Sequence, residues 1–308
     1  MADISVALGG GGVKGIAHIG VLNRLMKEGF NIRAIAGTSA GGIIGSAFAA
    51  GYLPDEIEKI ITGMDQSKVF MRNMHDGPSL LGLKGFAQTL MDTIGEVTFE
   101  QLSIPFACTA VDINTDQEVI LSKGLVVEAI MATIAIPGIF PPVEIGDKTL
   151  VDGGVLDPVP VSVARWLAPT LPVIAVVLSP VPEGWAHLPD ISIPKPSGFA
   201  SAFIDQFSKL KIAQAVRIFT RSMDITSRAM TELRLEVDKP EIVIRPDVGQ
   251  FGLLDFGNPR EIIELGEAAA DSAIPEIKQS LSWPNQISRR FRKVEPPANV
   301  ISTSEFAD

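Results

Sequence analysis

Short, unbroken apolar runs that end in glycine and give way to helically spaced apolar positions recur along the first part of this chain. Ile4 to Leu8 is the first such run, followed at once by Gly9 to Gly12. Val13, Ala17, Val21, Leu22, Leu25 and Met26 then repeat at helical spacing until Gly29 stops them. The second unit runs from Ile32 to Ala36, turns at Gly37-Thr38-Ser39-Ala40-Gly41 and continues into the small, apolar segment Gly42 to Ala47. Runs with no polar alternation predict strands covered on both faces, hence a parallel sheet between helices.

Later segments extend this picture. Phe106 to Val111, Glu118 to Leu121, Pro172 to Leu178 and Glu241 to Arg245 read as strands. Val143-Glu144-Ile145 and Lys148 to Val151 flank Gly146-Asp147, a two-residue hairpin signal. Helices are expected from Pro54, over 80–93, over 126–136 and from Pro259 to Leu281. Residues 63–78 look irregular, 180–198 form a proline-rich linker, and 199–235 read as an amphipathic pair of docked helices inserted in the domain. The expected organisation is one domain over 1–282 and a loose polar tail over 283–308, with Arg289, Arg290, Arg292 and Lys293 as a short basic run.

Composition narrows the function. Of 308 residues, 46% are hydrophobic and only 20% charged, which supplies a large core. The net charge of −10 argues against nucleic acid, which needs a concentrated positive surface. Cys108 is the single cysteine and makes no internal disulfide, so a reducing cytoplasm is the default compartment. Met1-Ala2-Asp3 lacks the basic start of a secretion signal, and the glycine-rich turn inside 34–53 argues against a membrane span there. Peripheral membrane contact stays open, because 199–235 mixes Phe203, Phe207, Ile218 and Phe219 with basic residues.

The candidate chemistry centres on Ser39. Gly-Thr-Ser-Ala-Gly between a strand and a helix has the G-x-S-x-G form of a nucleophile elbow, whose tip holds a serine in a sparsely populated conformation. Gly37 and Gly41 let two backbones approach there. The glycine loop has two competing readings. Gly10, Gly12 and Gly15 match the dinucleotide fingerprint, but the acidic residue expected about 20 positions on is missing, and Ala36-Gly37-Thr38-Ser39 stands in its place. The loop is better explained as an oxyanion hole formed by the amides of Gly10, Gly11 and Gly12. Asp152, at a strand end before Gly153-Gly154, is either a turn former or the base that a serine nucleophile needs.

Together these segments resemble the patatin-like phospholipases. The glycine loop Gly10 to Gly15, the elbow Gly37 to Gly41 and Asp152-Gly153-Gly154 occur in that family's order, and segments 109–115, 132–142 and 252–256 are similar to family segments. The resemblance implies a three-layer α/β/α hydrolase with a mostly parallel central sheet, and a Ser39–Asp152 dyad that works without histidine. It further implies that acyl esters of lipids are the substrates, with neither metal nor cofactor. Lys14 stands where the family has a basic residue; it either holds the loop, attracts an anionic head group or is an ordinary surface lysine. Ser39, Asp152 and His187 also follow the chain order of an α/β-hydrolase triad, but Ser39 follows only one complete βα unit and His187 lies in a Pro/Gly-rich loop. His18, inside the first helix, is expected to pack or cap locally. A regulatory protein that keeps the fold without turnover is the alternative from another class, and nicotinamide binding is a third.

Overall fold

The computed structural model describes residues 2–64, 79, 81–180, 204–253, 258–282, 289 and 291–303, with the backbone alone for residues 84, 204–217 and 220. In chain order the elements are β1 (Ala2–Leu8), α1 (Ala17–Lys27), β2 (Phe30–Gly37), α2 (Ala40–Ala49), α3 (Pro54–Gly63), α4 (Lys84–Ile94), β3 (Phe106–Asp112), β4 (Gln117–Lys123) and α5 (Val126–Thr133). They continue with β5 (Val143–Ile145), β6 (Lys148–Asp152), α6 (Val161–Leu167), β7 (Val173–Val176), α7 (Ile204–Asp238), β8 (Ile242–Ile244), α8 (Pro259–Ser280) and β9 (Val300–Ser302). The hydrophobic runs of the sequence are the central strands. Turn chemistry fixes most of their ends.

All nine strands join one sheet. β1 lies between β2 and β7 and is parallel to both; β3 extends the sheet beyond β2, and β8 beyond β7, again in parallel. Strand pleating sends alternate residues to opposite faces. Ile4, Val6 and Leu8 of β1 enter the larger apolar cluster with α1, α2, α5 and α8, whereas Ala7 joins a smaller one with Val161, Val163 and Ala164 of α6. On that second face the register aligns Ala107, Ala36, Ala7 and Ala175 across β3, β2, β1 and β7. All four are fully buried. A row of methyl groups makes this face shallow, which lets α6 lie close to the sheet.

Helix α1 meets α8 with almost no space between backbones. A Cβ on Gly20 would lie 2.0 Å from the Ile263 carbonyl oxygen, and one on Gly266 would lie 2.0 Å from the Ala17 carbonyl oxygen. Two glycines, one per helix, thus set the crossing.

The β3 strand carries the feature that organises the site. Its Cys108 pairs with both Leu121 of β4 and Gly37 of β2, so those two strands occupy opposite edges. β6 is antiparallel to β3 and pairs Ala110 with Asp152, while β4 already holds Val119 against the same Ala110. β2 and β6 therefore share one edge of β3 and meet end to end on it. The last residue of β2 and the last of β6 face positions only two apart.

Three expectations need correction. The segment 283–308 is not a loose tail throughout: β9 pairs in parallel with β4, Arg289 is buried, and Arg292 bonds Glu241 at 2.8 Å. Its short apolar run, Val300-Ile301, was hidden by polar surroundings. The helical insertion is one continuous helix, α7, of 35 residues rather than a pair. Finally, α6 was not foreseen, because its seven residues are too few to show a period. The linker 181–198, most of the irregular segment 63–78, and with them His75 and His187, lie outside the described residues.

Candidate active site

Both loops of interest leave the same end of the sheet. Leu8, Gly37 and Val176 are register partners at the ends of parallel strands, so Gly9 and Thr38 start side by side. The Thr38 amide donates to the Leu8 carbonyl at 3.0 Å, which ties the elbow to the glycine loop. A Cβ on Gly41 would sit 2.0 Å from that same carbonyl oxygen, and one on Gly37 2.5 Å from the Gly41 carbonyl oxygen. Only glycine fits at either place.

Ser39 sits at the tip with φ 54° and ψ −121°, one of three non-glycine residues with positive φ among the described residues. Such a conformation costs on the order of 1–3 kcal/mol and persists only where its surroundings impose it. Here they do. The Ser39 amide donates to Thr133 Oγ1 at 2.9 Å, and its carbonyl accepts from Gly42 and Ile43 in the first turn of α2. Behind it, Thr38 Oγ1 donates to the Asp157 carbonyl at 2.8 Å. A hydroxyl has one proton, so the 2.7 Å contact between Thr38 and Thr109 is donated by Thr109.

Asp152 closes the arrangement from β6. Its carboxylate accepts from the Gly154 amide at 2.7 Å, and the Ser39 side chain lies close enough to favour its ionised form. Burial pushes its pKa up to about 6, and Ser39 and Gly154 work against that rise without cancelling it. Gly153 is required because a Cβ there would meet Thr109 Oγ1 at 2.1 Å, and a Cβ on Gly154 would press on the carboxylate at 3.0 Å.

The glycine loop treats its members differently. Gly10 donates to the Pro158 carbonyl at 2.9 Å and Gly9 to that of Val176 at 3.0 Å, so neither amide is free. The Gly11 and Gly12 amides make no backbone hydrogen bond among the described residues. Gly12 has φ +59°, and a Cβ on it would clash with the Leu253 carbonyl oxygen at 2.2 Å. Gly15 packs on Ala40, where a Cβ would meet the alanine methyl at 2.4 Å. His18 proves to be a support of the loop: fully buried, it places Nε2 2.7 Å from the Gly9 carbonyl, which fixes Nε2 as the protonated nitrogen. Burial also lowers its pKa to about 4, so the ring stays neutral.

Lys14 is not a surface lysine. It is buried at the cavity wall; burial lowers its pKa, Arg228 and Arg221 add to that, and Asp224 opposes them. A cavity of about 440 Å³ contains Gly11, Gly12, Ser39 and Asp152 at one side and is walled by apolar residues such as Ile136, Leu178, Phe219 and Phe251. Among the described residues no group of three or more His, Cys, Asp or Glu side chains is placed to hold a metal ion. Thr133 and Arg228 were not singled out by the sequence, and Arg221 only as one of the basic residues mixed into 199–235. Thr133 lies inside the family-like segment 132–142, which was the available signal for it.

A strained serine at a strand-to-helix elbow, next to a buried aspartate and a glycine loop, on a mostly parallel sheet between helices, defines an α/β/α hydrolase-type fold and site. The pattern of the patatin-like phospholipase family matches residues 6–165, more than half of the chain, and the chain belongs to that family. An uncharacterized NTE family protein of Mycobacterium tuberculosis is 37% identical over 162 residues, 52% of this chain and 44% of its own length. A second from the same organism is 32% identical over 281 residues, which cover 88% of this chain and 46% of that protein. The Aspergillus fumigatus protein named lysophospholipase nte1 is 27% identical over 91% of this chain and 19% of its own length. This chain thus spans less than half the length of these relatives. Among solved structures, VipD from Legionella pneumophila aligns over 90% of this chain and 67% of its own with a TM-score of 0.51 and 13% identity, a likeness of fold alone.

Proposed function

We propose that this chain is a lipid acyl hydrolase in which Ser39 is the nucleophile and Asp152 the base. The observation that carries the reading is the strained Ser39 side chain beside the buried Asp152 carboxyl at the wall of an apolar cavity. Serine is a weak nucleophile unless a positioned base takes its proton. A carboxylate raised to about 6 is ionised at neutral pH yet basic enough to accept one.

In this mechanism Ser39 Oγ attacks the ester carbonyl as its proton passes to Asp152. The developing oxyanion is held by the amides of Gly11 and Gly12, each donor being worth about 3 to 4 kcal/mol. Gly10, committed to Pro158, supports the loop instead of donating. Collapse of the tetrahedral intermediate returns the proton from Asp152 to the leaving alcohol and leaves an acyl-Ser39. Water, deprotonated by Asp152, then attacks the acyl group, and Ser39 is regenerated as the fatty acid leaves. His18, neutral and held by Gly9, takes no part in proton transfer.

The apolar cavity wall supports an acyl chain as the occupant, and the fungal relatives named lysophospholipases support lipids as the class. Phe219 lines the cavity and is 43% exposed, with Ile218 exposed beside it, which supports peripheral contact with a lipid surface. No helix of the described residues is long and apolar enough to cross a membrane.

Labelling by a fluorophosphonate probe tests the nucleophile directly. Ser39 is expected to react in the wild type, while Ser39→Ala and Asp152→Asn each lower ester hydrolysis at least about a thousandfold. Undiminished hydrolysis by Ser39→Ala would end this reading.

A further inference from the structure

Apart from Asp152, the charged side chains that line the cavity among the described residues are Lys14, Arg221, Asp224 and Arg228. Arg221, Asp224 and Arg228 stand at i, i+3 and i+7 on α7, one face of the helix. Asp224 Oδ2 accepts from Arg221 Nη1 at 2.9 Å and from Arg228 Nη2 at 2.7 Å, so a single carboxylate fixes two guanidinium groups side by side. Lys14 reaches the same corner from the glycine loop, with no salt bridge of its own among the described residues.

Among the described residues, three basic side chains meet one carboxylate at the wall of a mostly apolar cavity, with Arg221 and Asp224 part-exposed and Arg228 and Lys14 buried. Buried charge is costly unless it is paired. Arg228 is 94% buried by its 6% exposure, and its Nη1 has no hydrogen-bond partner among the described residues. Asp152 accepts from the Gly154 amide and makes no salt bridge with Lys14, Arg221 or Arg228 among the described residues. The Ser39–Asp152 pair and this basic cluster are thus two polar groups on the wall of one cavity.

We infer that the Arg221–Asp224–Arg228 face of α7, with Lys14, is a phosphate-recognising subsite, so that this enzyme selects acyl esters that carry a phosphate over neutral ones. The assignment rests on the hydrolase reading above. Guanidinium groups match phosphate oxygens in pairs, and Asp224 holds both arginines in place before the ligand arrives. An anion here also reverses the mutual repulsion of Lys14, Arg221 and Arg228. The apolar wall beside it takes the acyl chain, so one cavity accommodates both ends of an amphiphile.

The test compares kcat/KM for a lysophospholipid and for a monoacylglycerol with the same acyl chain. The wild type is expected to favour the phosphate ester about tenfold or more, and Arg221→Gln and Arg228→Gln each to reduce that ratio about tenfold, chiefly through KM for the phosphate ester. Arg221 is part-exposed, so its variant stays informative if the buried Arg228 variant fails to fold, and Arg228→Lys should restore part of the preference. A ratio that is equal in the wild type and the Arg221→Gln variant overturns the inference while leaving the dyad intact. If instead Ser39→Ala hydrolyses esters as the wild type does, the dyad reading falls. The subsite is then decided by binding of the two lipids to the Ser39→Ala protein with and without Arg221→Gln. Tight binding of inorganic phosphate alone, without preference between the lipids, would mark a free-phosphate site and overturn the substrate assignment.

Discussion

The backbone amide of Ser39 donates to the side-chain hydroxyl of Thr133, 2.9 Å away and 94 residues later in the chain. This bond anchors the one strained residue of the elbow to the end of α5. Replacement by valine keeps the shape but leaves a buried amide without a partner, a loss of about 1–3 kcal/mol. Thr133→Val is therefore expected to lower both stability and kcat, the latter about tenfold, because Ser39 relaxes from its φ of 54°. Thr133→Ser should restore both. Steady-state kinetics with a denaturation curve checks this, and a normal kcat in Thr133→Val would show that the elbow holds itself.

With Asp152 as the proposed base, the pH dependence of hydrolysis should follow its carboxyl. Its proton-accepting form is populated above its pKa, which burial raises to about 6. kcat/KM should be flat at neutral pH and fall about tenfold per pH unit below that value. A profile that stays level down to pH 4 would mean that the carboxyl is not the base.

Stability should respond to pH through groups of opposite sign, His18 and Asp152 among them. His18 has its pKa lowered from 6.5 to about 4, so between those values the unfolded chain binds a proton that the native state does not, and stability rises with pH. Asp152 is raised from 3.8 to about 6, so in that window the native state holds the extra proton, and stability falls as pH rises. The two slopes oppose each other between about 4 and 6. Asp152→Asn removes one of them, and urea unfolding of that variant should show stability climbing more steeply from pH 4 to 6 than in the wild type.

The α1–α8 crossing predicts an unusual sensitivity to a single methyl group. Gly20→Ala or Gly266→Ala places Cβ within 2.0 Å of a carbonyl oxygen on the facing helix, so the helices must part. A loss of about 3 kcal/mol is expected from such overpacking, although alanine is the better helix former. Gly29→Ala is a useful control, because its Cβ meets nothing within 4 Å and its cost is conformational, from φ +90°. An unfolding midpoint unchanged in Gly20→Ala would disprove the close approach.

Local pattern alone determined a great deal here. Unbroken apolar runs identified the buried strands, helical spacing after Gly12 identified α1, the small apolar segment after Gly41 identified α2, and the glycines around Ser39 marked an elbow. These signals survive in one dimension because strand pleating, helix period and turn conformation each depend on a few neighbouring residues. The partnership of Ser39 with Asp152 was legible only as a pattern of motifs in sequence order. Its physical basis, β2 and β6 meeting end to end on one edge of β3, is a matter of register between segments more than 100 residues apart.

Tertiary structure decided the remainder. It commits the Gly10 amide to Pro158, turns His18 into a support for Gly9, buries Lys14 and brings Arg221 and Arg228 to the same cavity. It also recruits Val300-Ile301 from a polar tail to the edge of β4. None of these has a local signature, since a hydrogen bond or an ion pair across the chain depends on where the sheet brings two backbones together and how much water that contact excludes.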